Sequence, residues 1–265
     1  MREDPDIQAE LAASGSAAVV APTGSTEELV ALNIRSGAHH PDGASARLVA
    51  EAGGRDGILK FTQIFYQKSF DDPHIDRFIR SHDDPHGDRF ASWICEKMGA
   101  GSPWTDERRV RQRCPFHAGH GVTLEVHDRS SAHAAAWHSP KRESDKWGEH
   151  FKLDDCRIWM RLHFWAAREA GLFDRVPRFM EYYQRMLGHY IAVYERTAVS
   201  FVRESARWSA DPANTARYLN NNAYPGKMPN IVRVRLNEAL QGLPAAERGN
   251  PGRGNTGSRT WPYDL

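Results

Sequence analysis

The chain is predicted to be all-α. Apolar residues recur at spacings of three and four in successive windows: Ile58, Phe61 and Phe65, then Phe90, Trp93, Ile94 and Met98, then Ile158, Leu162 and Trp165. That spacing marks one buried face of a helix. Gly, Pro and Asp residues that stop helices separate the windows. Strand signals are nearly absent, with Val122-Thr123-Leu124 the one short stretch that reads as a strand or turn.

Residues 1 to about 45 are rich in Ala, Gly, Ser and Pro with weak periodicity, and are expected to form a flexible leader. Gly53-Gly54 punctuate a short first helix and open a second, which Asp71-Asp72-Pro73 stop. A further helix is expected from about Asp88 to Met98, ended by Gly99. Residues 100 to 127 read as irregular. Asp154 or Asp155 is the expected N-cap of the next helix, which Gly171 ends. Pro177 suits a first helical position. The long helix after it carries Phe179, Tyr183, Met186, Tyr190 and Val193-Tyr194. The segment 205–265 is an expected C-terminal extension. Trp208, Tyr218 and Tyr224 are candidates to pack on the last helix, and the part from about 243 reads as disordered.

The chain has 265 residues and a formal net charge of +1, which argues against broad electrostatic capture of nucleic acid or of an anionic membrane. No apolar run approaches the ~20 residues of a membrane span. Cys95, Cys114 and Cys156 are too few and too scattered for a disulfide framework, so a reducing, cytoplasmic setting is expected. No glycine-rich phosphate loop opens a helix after a strand.

The chemistry-bearing stretch runs from Val126 to Leu172. It places His133 and His138 upstream of the helix that carries Trp159. With the Phe65-Tyr66 pair it offers an imidazole, a phenol and an indole N–H. Taken by spacing alone, His133 is a helical histidine bonded to a carbonyl, Tyr66 a boundary tyrosine, Trp159 core filling and His86 a surface residue of a turn. Cys114, His117, His120 and His127 could be read as zinc ligands, but their spacing lacks a second matched pair. Lys141, Arg142, Arg157 and Arg161 read as solvated charge, and Arg108, Arg109, Arg111 and Arg113 as an exposed basic loop.

The order of these features resembles the truncated haemoglobins, the two-over-two globins, and group II in particular. The features are Gly-Gly, Phe65-Tyr66, Asp72-Pro73, a helix ending in Met98-Gly99, a histidine, Trp159 and Gly171-Leu172. The resemblance covers about residues 46 to 200, and implies a globin-like haem domain over 46–204. It implies haem b as cofactor, with His133 as the iron ligand and His138, then His150, as rivals. Tyr66 and Trp159 become distal donors, and His86 and Phe90 distal neighbours. At the corner after the second helix, strict counting puts Ile79 against the porphyrin and chemistry prefers Phe78. His133 and Trp159 stand 26 residues apart, roughly twice the expected gap of a compact member, so 139–151 reads as an insertion.

The implied function is binding of O2, NO or CO at iron, in storage, sensing, NO detoxification or peroxide chemistry. NO dioxygenation would add a need for an external reductase. Two other classes stay open: a haem-less globin-fold interaction scaffold, and a zinc or non-haem metal protein using His117 to His138.

Overall fold

A computed structural model describes residues 29–110 and 130–222. Within them the fold is helical, with one short antiparallel hairpin of β1 (Ile34–Arg35) and β2 (Ala38–His39). No helix among the described residues is long and apolar enough to cross a membrane.

Helix α1 (Gly43–Glu51) starts at Asp42, whose Oδ1 accepts from the Ala44 and Ser45 amides at 2.8 and 3.0 Å. The chain then reverses through Gly53 and Gly54, both at positive φ, into α2 (Gly54–Asp71). The reversal is so tight that a Cβ on Gly57 would lie 1.9 Å from the Ala52 carbonyl oxygen. Ile58, Phe61, Thr62, Phe65 and Ser69 form the buried stripe of α2. Asp72 ends it and caps α3 (Pro73–Asp76) by accepting from the His74 and Ile75 amides. Helix α4 (His86–Lys97) crosses α2 closely where the Thr62 hydroxyl donates to the Gly87 carbonyl at 2.8 Å.

The stretch read as irregular from residue 100 begins with another helix, α5 (Pro103–Val110). Buried Trp104 anchors it, and the Glu96 carboxylate accepts from the Thr105 amide and hydroxyl. Arg108 and Arg109 belong to its last turn, while Arg111, Arg113 and the Val122–Leu124 stretch lie outside the described residues. Helix α6 (Ser130–Trp137) leads through a loop with one 3-10 turn (Ser144–Lys146) to α7 (Leu153–Glu169). Then come α8 (Leu172–Arg175) and α9 (Pro177–Ile191). The expected long helix stops at Ile191, before Val193-Tyr194. There the buried Glu195 carboxylate starts a new 3-10 segment (Arg196–Phe201), accepting from the Thr197 amide and hydroxyl at 3.0 and 2.7 Å. Helices α10 (Val202–Trp208) and α11 (Pro212–Asn222) complete the described chain.

Helix α7 is the centre. It packs against α2, α3, α8, α10 and the 3-10 segment, and from Leu153 to Ala167 every residue is buried except Trp159. Arg157 and Arg161, expected in solvent, are 2% and 0% exposed. The segment 196–209 covers the face they occupy. Arg157 lies 4.0 Å over the Phe201 ring, while Arg161 pairs with Glu204 and stands over Trp208. Arg168 adds bonds to the Ser209 hydroxyl and the Ala206 carbonyl. Trp208 and Tyr218 are buried, and their partners lie on α7 and at Asp72. Trp208 stands against Arg161, and Tyr218 meets Trp165 at 5.6 Å and donates to Asp72 at 3.0 Å, while Tyr224 lies outside the described residues.

The structured body also begins earlier than expected. Val30 and Leu32 pack on the core, the Arg185 guanidinium donates to the Val30 carbonyl at 2.8 Å, and His39 bonds the Tyr182 hydroxyl at 2.7 Å. The α9 surface therefore orders residues 29–42, which have too little apolar periodicity of their own to signal it.

Removing one partner of a buried ion pair leaves an uncompensated charge. Glu204→Ala is therefore expected to destabilise the protein by about 3 kcal/mol or more in a denaturant titration. Asp88→Ala removes the partner of Arg55 from a pair whose side chains are 41% and 48% exposed, and should cost about 1 kcal/mol or less.

Candidate functional site

The distal candidates converge on the pair Phe65 and Phe90. Phe65 stands 5.1 Å from Tyr66 and 5.3 Å from Trp159, centroid to centroid. Phe90 stands 6.3 and 5.8 Å from the same two rings. Tyr66 at the end of α2 and Trp159 on α7 thus share two apolar neighbours, in the edge-on and tilted arrangements aromatic rings favour. Both are partly buried. Among the described residues, no hydrogen bond engages the Tyr66 hydroxyl or the Trp159 indole N–H. Enough protein surrounds the Tyr66 phenol to push its pKa up to about 12 against the pull of Arg89, so it keeps its proton and remains a donor at neutral pH.

His86 stacks on Tyr66 at 5.0 Å and 22°. Its Nε2 lies 2.8 Å from the Ser81 carbonyl; a carbonyl can only accept, so that nitrogen carries the proton. Burial holds the His86 pKa below its ordinary value despite this bond. The neutral ring is therefore a wall for Tyr66, with its N–H directed to the backbone. Tyr66 and His86 also line a cleft of about 240 Å3 together with Gln63, Gln67, Phe70 and His82.

A second aromatic group surrounds His133 on α6. Its ring meets Tyr194 edge-on at 4.9 Å and Phe151 at 5.5 Å, and its Nδ1 lies 2.6 Å from the Tyr194 hydroxyl. Phe151 meets Phe78 at 5.1 Å. Of the two corner candidates, Phe78 thus adjoins the histidine group and Ile79 belongs to the core cluster. The two groups meet at the end of α9. Tyr190 contacts Trp93 at 5.0 Å, and Trp93 contacts Phe90, while Tyr194, one turn further along, contacts His133.

The rival histidines lie elsewhere. His138 adjoins Gly148 in the loop after α6, and His150 stacks on Trp137 at 4.0 Å. That loop, the expected insertion at 139–151, is cross-braced. Arg142 donates to the Trp137 and Glu149 carbonyls at 2.6 and 3.0 Å, and the Trp147 indole donates to the Arg142 carbonyl. Cys114, His117, His120 and His127 lie outside the described residues. Among the described residues, no group of three or more His, Cys, Asp or Glu side chains could hold a metal ion.

Two features escape the sequence reading. His163, fully buried, stacks on Trp159 at 4.5 Å and 17°, and its Nε2 bonds the buried Tyr183 hydroxyl at 2.8 Å. Burial holds its pKa well below the ordinary histidine value, so it stays neutral. Its position four residues after Trp159, on the same helix face, is the signal that could have found it. The other feature is the buried pair His74 and Asp155, joined by the partly exposed Arg77. Asp155 Oδ1 lies 2.6 Å from His74 Nε2 and 2.9 Å from an Arg77 nitrogen, and its other oxygen accepts from the Lys152 amide. The expected cap of α7 therefore works from inside its first turn, and ties the start of α7 to the corner that bears Phe78.

Burial acts to raise the Asp155 pKa, but the bond and charge of His74, then the charge of Arg77, hold it below 3.8. Because the folded pKa is depressed, the stabilisation is fully present above the unfolded value of 3.8 and is lost as pH falls through the folded value below it. Asp72 has the opposite sign: burial raises its pKa, so its contribution is lost as pH rises. Asp155→Asn should therefore be less stable at neutral pH, yet lose less stability than the parent between about pH 4 and pH 2 in acid titrations followed by circular dichroism. No family model matches the chain, and no curated protein or solved structure matches it.

Proposed function

We propose that this chain is a haem-binding protein of globin-like, two-over-two architecture that binds a diatomic ligand, O2, NO or CO. The observation that carries the reading is the exposure pattern of α7. Its single opening between Leu153 and Ala167 is Trp159, whose indole N–H and the nearby Tyr66 hydroxyl are donors with no hydrogen-bond partner among the described residues.

The residues suit the group. A lone imidazole holds a metal firmly only when something else supplies most of the coordination sphere, and a porphyrin supplies four nitrogens in a flat apolar frame. Tyr66, Phe90, Trp93, Phe151, Tyr190 and Tyr194 are partly exposed rings packed on the core, the kind of surface such a frame covers. His133 would hold the iron, with Phe78 and Phe151 beside it. Haem, when bound, supplies an iron with a coordination position for the diatomic ligand.

The chain's own residues then govern that ligand. Tyr66 and Trp159 donate hydrogen bonds to a polar ligand atom, and Phe65 and Phe90 keep water from competing for them. His163 backs the Trp159 ring and, being neutral, adds no charge to the pocket. Two donors favour slow ligand release, which suits storage, sensing, or NO or peroxide chemistry better than bulk carriage. NO turnover would draw electrons from a separate reductase.

The purified full-length protein should show a Soret band. His133→Gly should lose haem or accept added imidazole in its place, and His138→Gly should keep it; the reverse result would shift the iron ligand to His138. Tyr66→Phe and Trp159→Phe should each raise the O2 dissociation rate about tenfold, the size of one hydrogen bond to a charged acceptor. CO release should change less, because CO is a poorer acceptor. Equal changes for both gases in stopped-flow measurements would point to steric access instead.

A further inference from the structure

The hydroxyl 2.6 Å from His133 Nδ1 belongs to Tyr194, to which the functional reading gives no role toward that histidine. Tyr194 lies just past α9, in a turn where its amide bonds the Ile191 carbonyl at 3.0 Å and the next residue is the buried cap Glu195. Backbone bonds at Tyr194 and the Glu195 cap that follows fix the turn that carries the ring. Phe151, 5.6 Å from Tyr194 and 5.5 Å from His133, closes the third side of this aromatic triangle.

We propose that Tyr194 is the positioning residue for His133: its oxygen accepts the Nδ1 proton, which makes Nε2 the nitrogen presented to the iron. The inference rests on the haem-binding reading above and names the group that sets the strength of the iron ligand. The direction of this hydrogen bond decides which imidazole nitrogen is offered to a metal. If the Nδ1–H donates to the phenol, Nε2 keeps its lone pair. If instead the phenol donates to Nδ1, the neutral ring carries its proton on Nε2 and must shift it before that nitrogen can ligate. A phenol oxygen is also a weaker acceptor than a carboxylate, so it draws the ring less toward imidazolate. An iron held by His133 would then be bound comparatively softly, with the partner supplied from the turn after α9 and not from the helix bearing the ligand.

The test has two arms, both on the full-length chain. In haem-free protein at neutral pH, 15N shifts of the His133 ring should report a single Nδ1–H tautomer. Tyr194→Phe should give a mixture tending to the Nε2–H form. In the haem-loaded protein, Tyr194→Phe should weaken haem affinity by about 10- to 100-fold, as loss of an outer partner does. It should also lower the iron–imidazole stretching frequency in resonance Raman spectra, a change that loosened packing alone would not produce. An Nε2–H tautomer in the parent overturns the inference. So do unchanged haem affinity and an unchanged stretching band in Tyr194→Phe while the parent binds haem. A parent that shows no Soret band overturns the functional reading itself, whichever tautomer is found.

Discussion

Burial of α7 on every side is the constraint on which the rest of the structure depends. A helix with Asp154, Asp155, Arg157, Arg161 and His163 along it would ordinarily lie at a surface. Once enclosed, each of these groups needs a partner, because an uncompensated polar group in a dry interior is destabilising. The partners come from separate parts of the chain: His74 and Arg77 from the corner after α2, Tyr183 from α9, Glu204 from α10, with Phe201 and Trp208 stacked against the two guanidinium groups. Satisfying one helix therefore sets the relative positions of nearly all the others. The segment 196–209 belongs to the core for this reason.

The same enclosure defines the candidate site. Trp159 is where α7 comes to the surface, and it shares Phe65 and Phe90 as neighbours with Tyr66. His163 lies directly beneath it, neutral and held by Tyr183, so the indole rests on a rigid aromatic floor. On the proposed reading, donors held in this way would need little reorganisation to meet a polar ligand, which is the condition under which hydrogen bonds contribute most. On the other side, His133 is held by Tyr194, just past α9, and by Phe151, which packs on Phe78 at the corner that Asp155 ties to the start of α7. One buried carboxylate thus connects the two halves of the site.

The loop between α6 and α7 lengthens the path from His133 to Trp159 without separating them into independent units. Arg142 bonds two backbone carbonyls across the loop and covers one side of the Phe78 ring, with Arg77 near the same ring. A long connection can be tolerated because closing a longer loop adds only slowly to the entropy cost, and here internal hydrogen bonds offset part of it.

By itself the sequence determined the features set by local chemistry: the helical class, the Gly53-Gly54 reversal, the stop at Asp72-Pro73, the start at Pro177, and the apolar stripes of α2, α4 and α7. These follow from side-chain periodicity and backbone preference within a few residues, and Tyr66 and Trp159 were legible as candidates through their order along the chain. Only the tertiary structure decided the rest. Arg157 and Arg161 read as solvated because charge in a helix usually is, and nothing within ten residues of them announces Glu204 or Trp208. Residues 29–42 are ordered by the surface of α9, and α5 by the Glu96 carboxylate and buried Trp104. His163 gains its meaning from Tyr183, and His133 from Tyr194, 61 residues away. Partners so far apart in sequence leave no local pattern, since the burial that makes them interdependent exists only after the chain has folded.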